Sequence, residues 1–119
     1  MNMARTPKPG SAVRGSRSGK PVMALLDLLG RRWTLRVLWE LRGGPLTSRA
    51  LRQACGGLSP TVLSARTKEL REAALVALEE PLGYALTPLG RQLFELFLPI
   101  VEWSERWAAV TNRRTRRRT

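Results

Sequence analysis

The sequence predicts a mainly helical domain that carries one small β-hairpin. Apolar residues recur at three- and four-residue steps through most of residues 21–110, as they do on helices with one buried face. Two pairs, Ser59-Pro60 and Thr87-Pro88, each precede such a run, in the order of an N-cap and a first-turn proline. Between these two starts, "LVALEEPLGYALT" (75–87) holds two short β-prone runs around Pro81-Leu82-Gly83. A chain of 119 residues is long enough for one domain around a single core.

Residues 1–20 are rich in Pro, Gly, Ser and Arg, which predicts a disordered basic arm. "PVMALLDLLG" (21–30) reads as the first helix, with Pro21 in its first turn and Gly30 at its end. Asp27 is its only charge, so the helix must be buried on several sides. "RRWTLRVLWELRGG" (31–44) is a second helix with Trp33, Val37, Leu38 and Leu41 on one face and two glycines as its stop. "PLT" (45–47) can only be a very short extended piece. "SRALRQACGG" (48–57) is a third, short helix capped by Thr47 or Ser48 and ended by Gly56.

The fourth helix opens at Ser59-Pro60 within "LSPTVLSARTKEL" (58–70). Leu63, Thr67, Leu70 and Ala74 share its inner face. After the hairpin, Thr87-Pro88 opens a long last helix to about residue 110. Along it, Leu89, Leu93, Leu96, Ile100, Trp103, Trp107 and Val110 are separated alternately by four and three residues, a coiled-coil-like seam. Pro99 lies within the seam and should bend the helix. Residues 111–119 form a basic Arg-rich tail. The seam packs either into the chain's own core or against a second copy. A body this small has little else to cover two apolar helices, which favours a homodimer. Its interface would use Val22, Leu25, Leu26 and Leu29 of the first helix with Leu93, Leu96, Ile100, Trp103 and Trp107 of the last.

Charge narrows the choice of partner. The net charge is +12, with five cations and no acids in residues 1–20 and five arginines with no acids in residues 113–118, which leaves +2 for the body. Two cationic arms on a nearly balanced domain suit a polyanion, and nucleic acid is the commonest one. An enzyme is excluded by its parts. There is no histidine, no cysteine placed as a nucleophile, no glycine-rich phosphate loop and no cluster of carboxylates. No metal and no cofactor are expected, since the usual zinc ligands are missing. The basic start lacks the apolar stretch of a secretory signal, and no run approaches a membrane span. A cytoplasmic protein without membrane contact is the expectation.

The order helix, helix, short strand, helix, helix, hairpin, helix is that of a winged helix-turn-helix, here with long N- and C-terminal dimerisation helices. Four pieces of the sequence carry a family likeness: "LLGRRWTLRVLWEL", the "GP" at 44–45, "GLSPTVLSARTKELREAALV" and "YALTPLGRQL". In their order and spacing the chain resembles the HxlR-type bacterial transcriptional regulators, relatives of the MarR group, over about residues 20–110. The resemblance implies a dimer on operator DNA, and for many members regulation by small molecules or reactive electrophiles. It also implies that the fourth helix is the recognition helix. With Leu63 and Leu70 inward, a 100° step places Thr61, Ala65, Lys68 and Glu72 outward, with Ser64 and Arg66 on the flanks.

The candidate DNA contacts are therefore Thr47, Arg49 and Arg52 around the third helix, and Ser59, Thr61, Ser64, Ala65, Arg66 and Lys68 at the fourth. Arg14, Arg17 and Lys20 join them from the arm. The chain departs from the family in several places. Many members carry Cys-Pro before the first helix, where this chain has Lys20-Pro21. Ser48 and Thr67 replace usual apolar residues, and Ala65 replaces a polar one. The wing is short, with Glu79 and Glu80 beside its tip. Cys55, the only cysteine, reads as a buried core thiol. An effector would enter an apolar cleft between the first and last helices near Trp33, Trp103 or Trp107.

The function expected is a sequence-specific DNA-binding transcriptional regulator, a repressor, acting as a homodimer on a pseudo-palindromic site in double-stranded DNA. The alternative is a winged-helix protein-interaction module whose tails bind nucleic acid non-specifically.

Overall fold

The computed structural model describes residues 6–12 and 19–118. Among the described residues, five α-helices and one hairpin follow in the order α1 (Pro21–Leu29), α2 (Thr34–Glu40), α3 (Ser48–Ala54), α4 (Pro60–Glu72), β1 (Val76–Glu79), β2 (Gly83–Leu86) and α5 (Pro88–Arg118). One 3₁₀ turn, Leu41–Gly43, extends α2. No helix among the described residues is long and apolar enough to cross a membrane.

Local chemistry sets most of the helix starts. The Ser59 hydroxyl oxygen accepts from the Val62 amide at 3.2 Å, and Pro60 occupies the first turn of α4. The Thr47 oxygen accepts from Ala50 at 3.1 Å, so Thr47 rather than Ser48 caps α3. The Thr87 oxygen accepts from Gly90 at 3.0 Å at the start of α5. The second helix begins later than periodicity suggests. Residues 31–33 form a turn, and Trp33 caps α2 in the left-handed conformation with φ 76°. The tight reversal after α1 requires this, and Trp33 still packs on the core.

β1 and β2 pair antiparallel, with Val76 opposite Leu86 and Glu79 opposite Gly83. Leu46 adds a single bridge to Tyr84, which is all that the "PLT" piece contributes to the sheet. The core sits where α2, α3, α4 and the hairpin meet. Val37, Leu41, Leu51, Leu63 and Leu70 are at most 1% exposed. Thr67 lies among them without an unsatisfied hydroxyl, because its Oγ1 donates within α4 to the Leu63 and Ser64 carbonyls at 3.0 and 3.2 Å. Ala74 does not join this inner face. It is exposed in the left-handed conformation (φ 62°), where the chain turns out of α4 toward β1.

α5 behaves differently at its two ends. Leu93 and Phe97 pack on the core, and Phe94 meets Trp39 with ring centroids 5.8 Å apart. From Leu98 to Arg117 every residue except Ser104 and Ala108 is exposed. Pro99 lies inside the helix without ending it. The helix also continues through the Arg-rich segment to Arg118, past the expected end near residue 110. Arginine is a good helix former and suits the negative helix terminus, so the helix outlasts the apolar pattern. The Cα radius of gyration is 16.5 Å, against about 13.5 Å for a compact chain of this length. The excess reflects α5 reaching out of the body.

The residues predicted for a dimer interface divide in two. Val22, Leu26, Leu96, Ile100, Trp103 and Trp107 are exposed, at 53–71%. Leu29 is buried in the chain's own core, and Leu25 and Leu93 are half-buried against it. These three anchor α1 and α5 to the body and are not an open apolar surface. Two described residues of the basic arm differ from a free chain. Thr6 and Pro7 are buried, and the Thr6 hydroxyl donates to Glu72 at 2.6 Å.

Candidate nucleic-acid interface

α3 and α4 are joined by a turn that only a few residue types can form. Gly56 and Gly57 take φ of +80° and +89°, a region open to glycine and strained for other residues. The Gly57 amide donates to the Arg52 carbonyl at 2.9 Å, and Arg52 Nε donates back across the turn to the Leu58 carbonyl at 2.8 Å. Arg52 is thus half-buried and holds the turn. It was expected as a DNA contact because it lies on a basic stretch, but its Nε is already engaged.

On α4, Thr61, Ser64, Ala65 and Lys68 are all exposed. Their spacing of three, four and seven residues from Thr61 puts them on one stripe. Arg71 and Glu72 extend it by another turn, both exposed. A groove of about 510 Å³ opens beside that end, lined by Lys68, Arg71, Glu72, Val76, Ala77 and Leu78. It runs between α4 and β1. Arg71 was not among the predicted contacts. Its place three residues beyond Lys68 was the available signal.

The other predicted residues lie as follows. Arg49 is exposed near the start of α3, beside the capping Thr47. Thr47 and Ser59 use their oxygens as caps, yet each hydroxyl keeps its proton to donate. Lys20 is exposed at the start of α1. Arg14 and Arg17 lie outside the described residues.

Arg66 does not stand on the outer stripe. It is half-buried and donates to Glu69 Oε1 at 2.5 Å, while Arg31 pairs with Oε2 of the same carboxylate. Periodicity put Arg66 on a flank, and a buried acid one turn along α4 draws it inward. Burial, with the nearby Arg31 charge second, lowers the Arg66 pKa.

The only thiol is far from a reactive state. Cys55 is 3% exposed at the end of α3. Burial pushes its pKa up, partly offset by Arg36, while Glu40 adds to the rise.

A small domain thus presents one helix, held by a neighbour across a glycine turn, with a β-hairpin beside it. Residues 28–112 match the HxlR-like helix-turn-helix family. The chain belongs to that family. As an HxlR-like chain it is a transcriptional regulator with a helix-turn-helix DNA-binding domain, and DNA is its partner.

One relative is YdzF of Bacillus subtilis (strain 168), described as an uncharacterized HTH-type transcriptional regulator. It is 34% identical over 91 residues, which span 70% of this chain and 83% of YdzF. Among solved structures, the quinone-bound YodB from B. subtilis superposes with a TM-score of 0.67 at 26% identity, covering 71% of this chain and 96% of YodB. A possible HxlR family transcriptional factor from Thermoplasma volcanium GSS1 gives 0.64 at 28% identity, covering 79% and 86%.

Proposed function

We propose that this HxlR-like regulator is a repressor that binds a pseudo-palindromic operator as a homodimer. The observation that carries the dimer is the exposed seam. Leu96, Ile100, Trp103 and Trp107 are each more than half exposed on a helix that reaches out of the body. Monomers do not hold such a row open to water without a use for it. A two-fold axis through paired α5 helices would present two copies of α4 to successive major grooves. Repression follows from a bound dimer covering the site.

In this reading Thr61, Ser64 and Lys68 face base edges and Arg71 faces phosphate, with Ala65 available for an apolar contact to a thymine methyl. The wing tip, with Glu79 and Glu80, is a poor phosphate clamp. The C-terminal arginines and the basic arm supply phosphate contacts in its place. Removing residues 113–119 should lower the slope of log affinity against log salt by at least about one. The wild-type slope in the truncated protein would exclude the tail from the DNA.

An effector of this chain would act without forming a thiol adduct. YodB is known with quinone bound, but the one thiol here is buried, and that burial pushes its pKa up. The reading as a whole is tested by selecting genomic DNA fragments with the full-length protein. One enriched inverted repeat is the expected result. Uniform binding erased by moderate salt would replace it with non-specific association.

A further inference from the structure

We propose that Arg66 is a positioning residue for DNA recognition and not a DNA ligand. With Glu69 and Arg31 it forms an ionic clamp that fixes how the recognition helix is presented. The inference rests on the DNA-binding reading above.

The three side chains come from two places in the fold. Arg66 and Glu69 are one turn apart on α4, and Arg31 stands in the turn between α1 and α2. Glu69 is 7% exposed although it lies on a surface helix. Each of its carboxylate oxygens receives one guanidinium, Oε1 from Arg66 and Oε2 from Arg31. A buried carboxylate needs this degree of pairing to remain charged. Swinging Arg66 out to a phosphate would leave Glu69 with a single partner in a poorly hydrated position. Losing one partner of a buried ion pair is costly. The clamp therefore holds Arg66 when DNA arrives, while Lys68 and Arg71 remain exposed to meet it.

The clamp has a purpose that the apolar core alone serves poorly. The inner face of α4 is narrow, with Leu63, Thr67 and Leu70 its fully buried members. The central one is a threonine whose hydroxyl bonds within its own helix. Such a stripe leaves rotation of the helix about its axis loosely determined. The clamp grips α4 at the edge of the stripe and ties it to a different element. Arg31 follows α1 by two residues, so the same contact links the recognition helix to the end of an interface helix.

The test uses full-length protein, the selected operator fragment and a random duplex of equal length. Arg66→Ala and Arg31→Ala are compared, with circular dichroism to check the fold. Each variant is expected to weaken operator binding about tenfold, and random-duplex binding by less than about twofold. The salt slope should stay at the wild-type value in both. The double variant should lose little more than either single variant, because the clamp acts as a unit. Should an alanine variant prove too unstable, Arg66→Lys and Arg31→Lys keep the charge but not the fork, and the operator-to-random ratio should still fall.

A salt slope lower by about one in the Arg66 variant, with Arg31→Ala binding normally, would make Arg66 a phosphate ligand and overturn the proposal. An unchanged operator-to-random ratio in folded variants would overturn it as well. A wild-type protein that selects no sequence would instead remove the DNA reading beneath it.

Discussion

The double variant Leu96→Glu, Ile100→Glu is expected to run as a folded monomer and to lose at least about a hundredfold in operator affinity. In the isolated chain both side chains stand in water, at 71% and 54% exposure, so the change costs the monomer's fold little. In a dimer the same positions lie near the middle of the seam. Each would bury about 1.5–3 kcal/mol of apolar transfer energy per copy. A glutamate there loses that energy and must also be desolvated without a partner. The hundredfold figure comes from joining two half-site contacts into one binding event, which a monomer forfeits. Sedimentation or light scattering at micromolar concentration reads the first effect, and a gel shift on the operator reads the second. A wild-type chain that is already monomeric, or a variant that remains a dimer, would dispose of the seam as the interface.

The seam also has a natural end. Its alternating step of four and three residues, continued past Val110, lands on Arg114 and Arg117. Arginines facing arginines across a two-fold axis would repel. In the proposed dimer the apolar pairing would therefore stop near Val110, and the helix beyond it would be left for DNA. Periodicity alone ends the helix near that residue. Periodicity measures burial, and the helix persists to Arg118 on intrinsic propensity.

That difference is typical of what could be read from this chain. The caps at Thr47, Ser59 and Thr87 were legible because a side-chain oxygen and the amide three residues on belong to one short stretch. The end of the third helix was legible through Gly56. Contacts between distant residues were not. Arg66 was placed on the binding surface because nothing nearby shows that Glu69 is buried. Its second partner, Arg31, lies 38 residues from Glu69. The contact of Thr6 with Glu72 spans 66 residues and ties Thr6 to the last residue of α4. Composition predicts that the basic arm lacks its own core, but not that it can borrow one. Trp33 was assigned to a helix face because its spacing from Val37 fits. Only the reversal after α1 requires its left-handed backbone.

Gly90→Ala should destabilise the fold by about 3 kcal/mol or more, a large share of the ~5–15 kcal/mol that holds a small domain together. A Cβ at this position would lie 2.0 Å from the Leu75 carbonyl oxygen, and that oxygen has nowhere to go. It accepts from the Thr87 amide at 3.0 Å, and the Leu75 amide in turn donates to Leu70 at 2.9 Å. The Thr87 hydroxyl donates to the Ala74 carbonyl at 2.6 Å. The start of α5 is thus stapled to the turn between α4 and β1 by two hydrogen bonds from one threonine. The glycine lets the two backbones close to that distance. Making room for a methyl group means lifting α5 and breaking one or both bonds. Gly43→Ala is the matched control, since nothing lies within 4 Å of its Cβ, and it should change stability by less than about 0.5 kcal/mol. Urea unfolding of both variants settles the comparison, and a Gly90→Ala midpoint equal to that of Gly43→Ala would refute the staple. The "LTPLG" stretch is then a geometric requirement as much as a helix start. It sets where α5 leaves the body, and α5 carries the seam. In the proposed dimer this junction would set the angle between the two copies of α4, so a folded Gly90 variant should also lose operator affinity while keeping its affinity for random duplex.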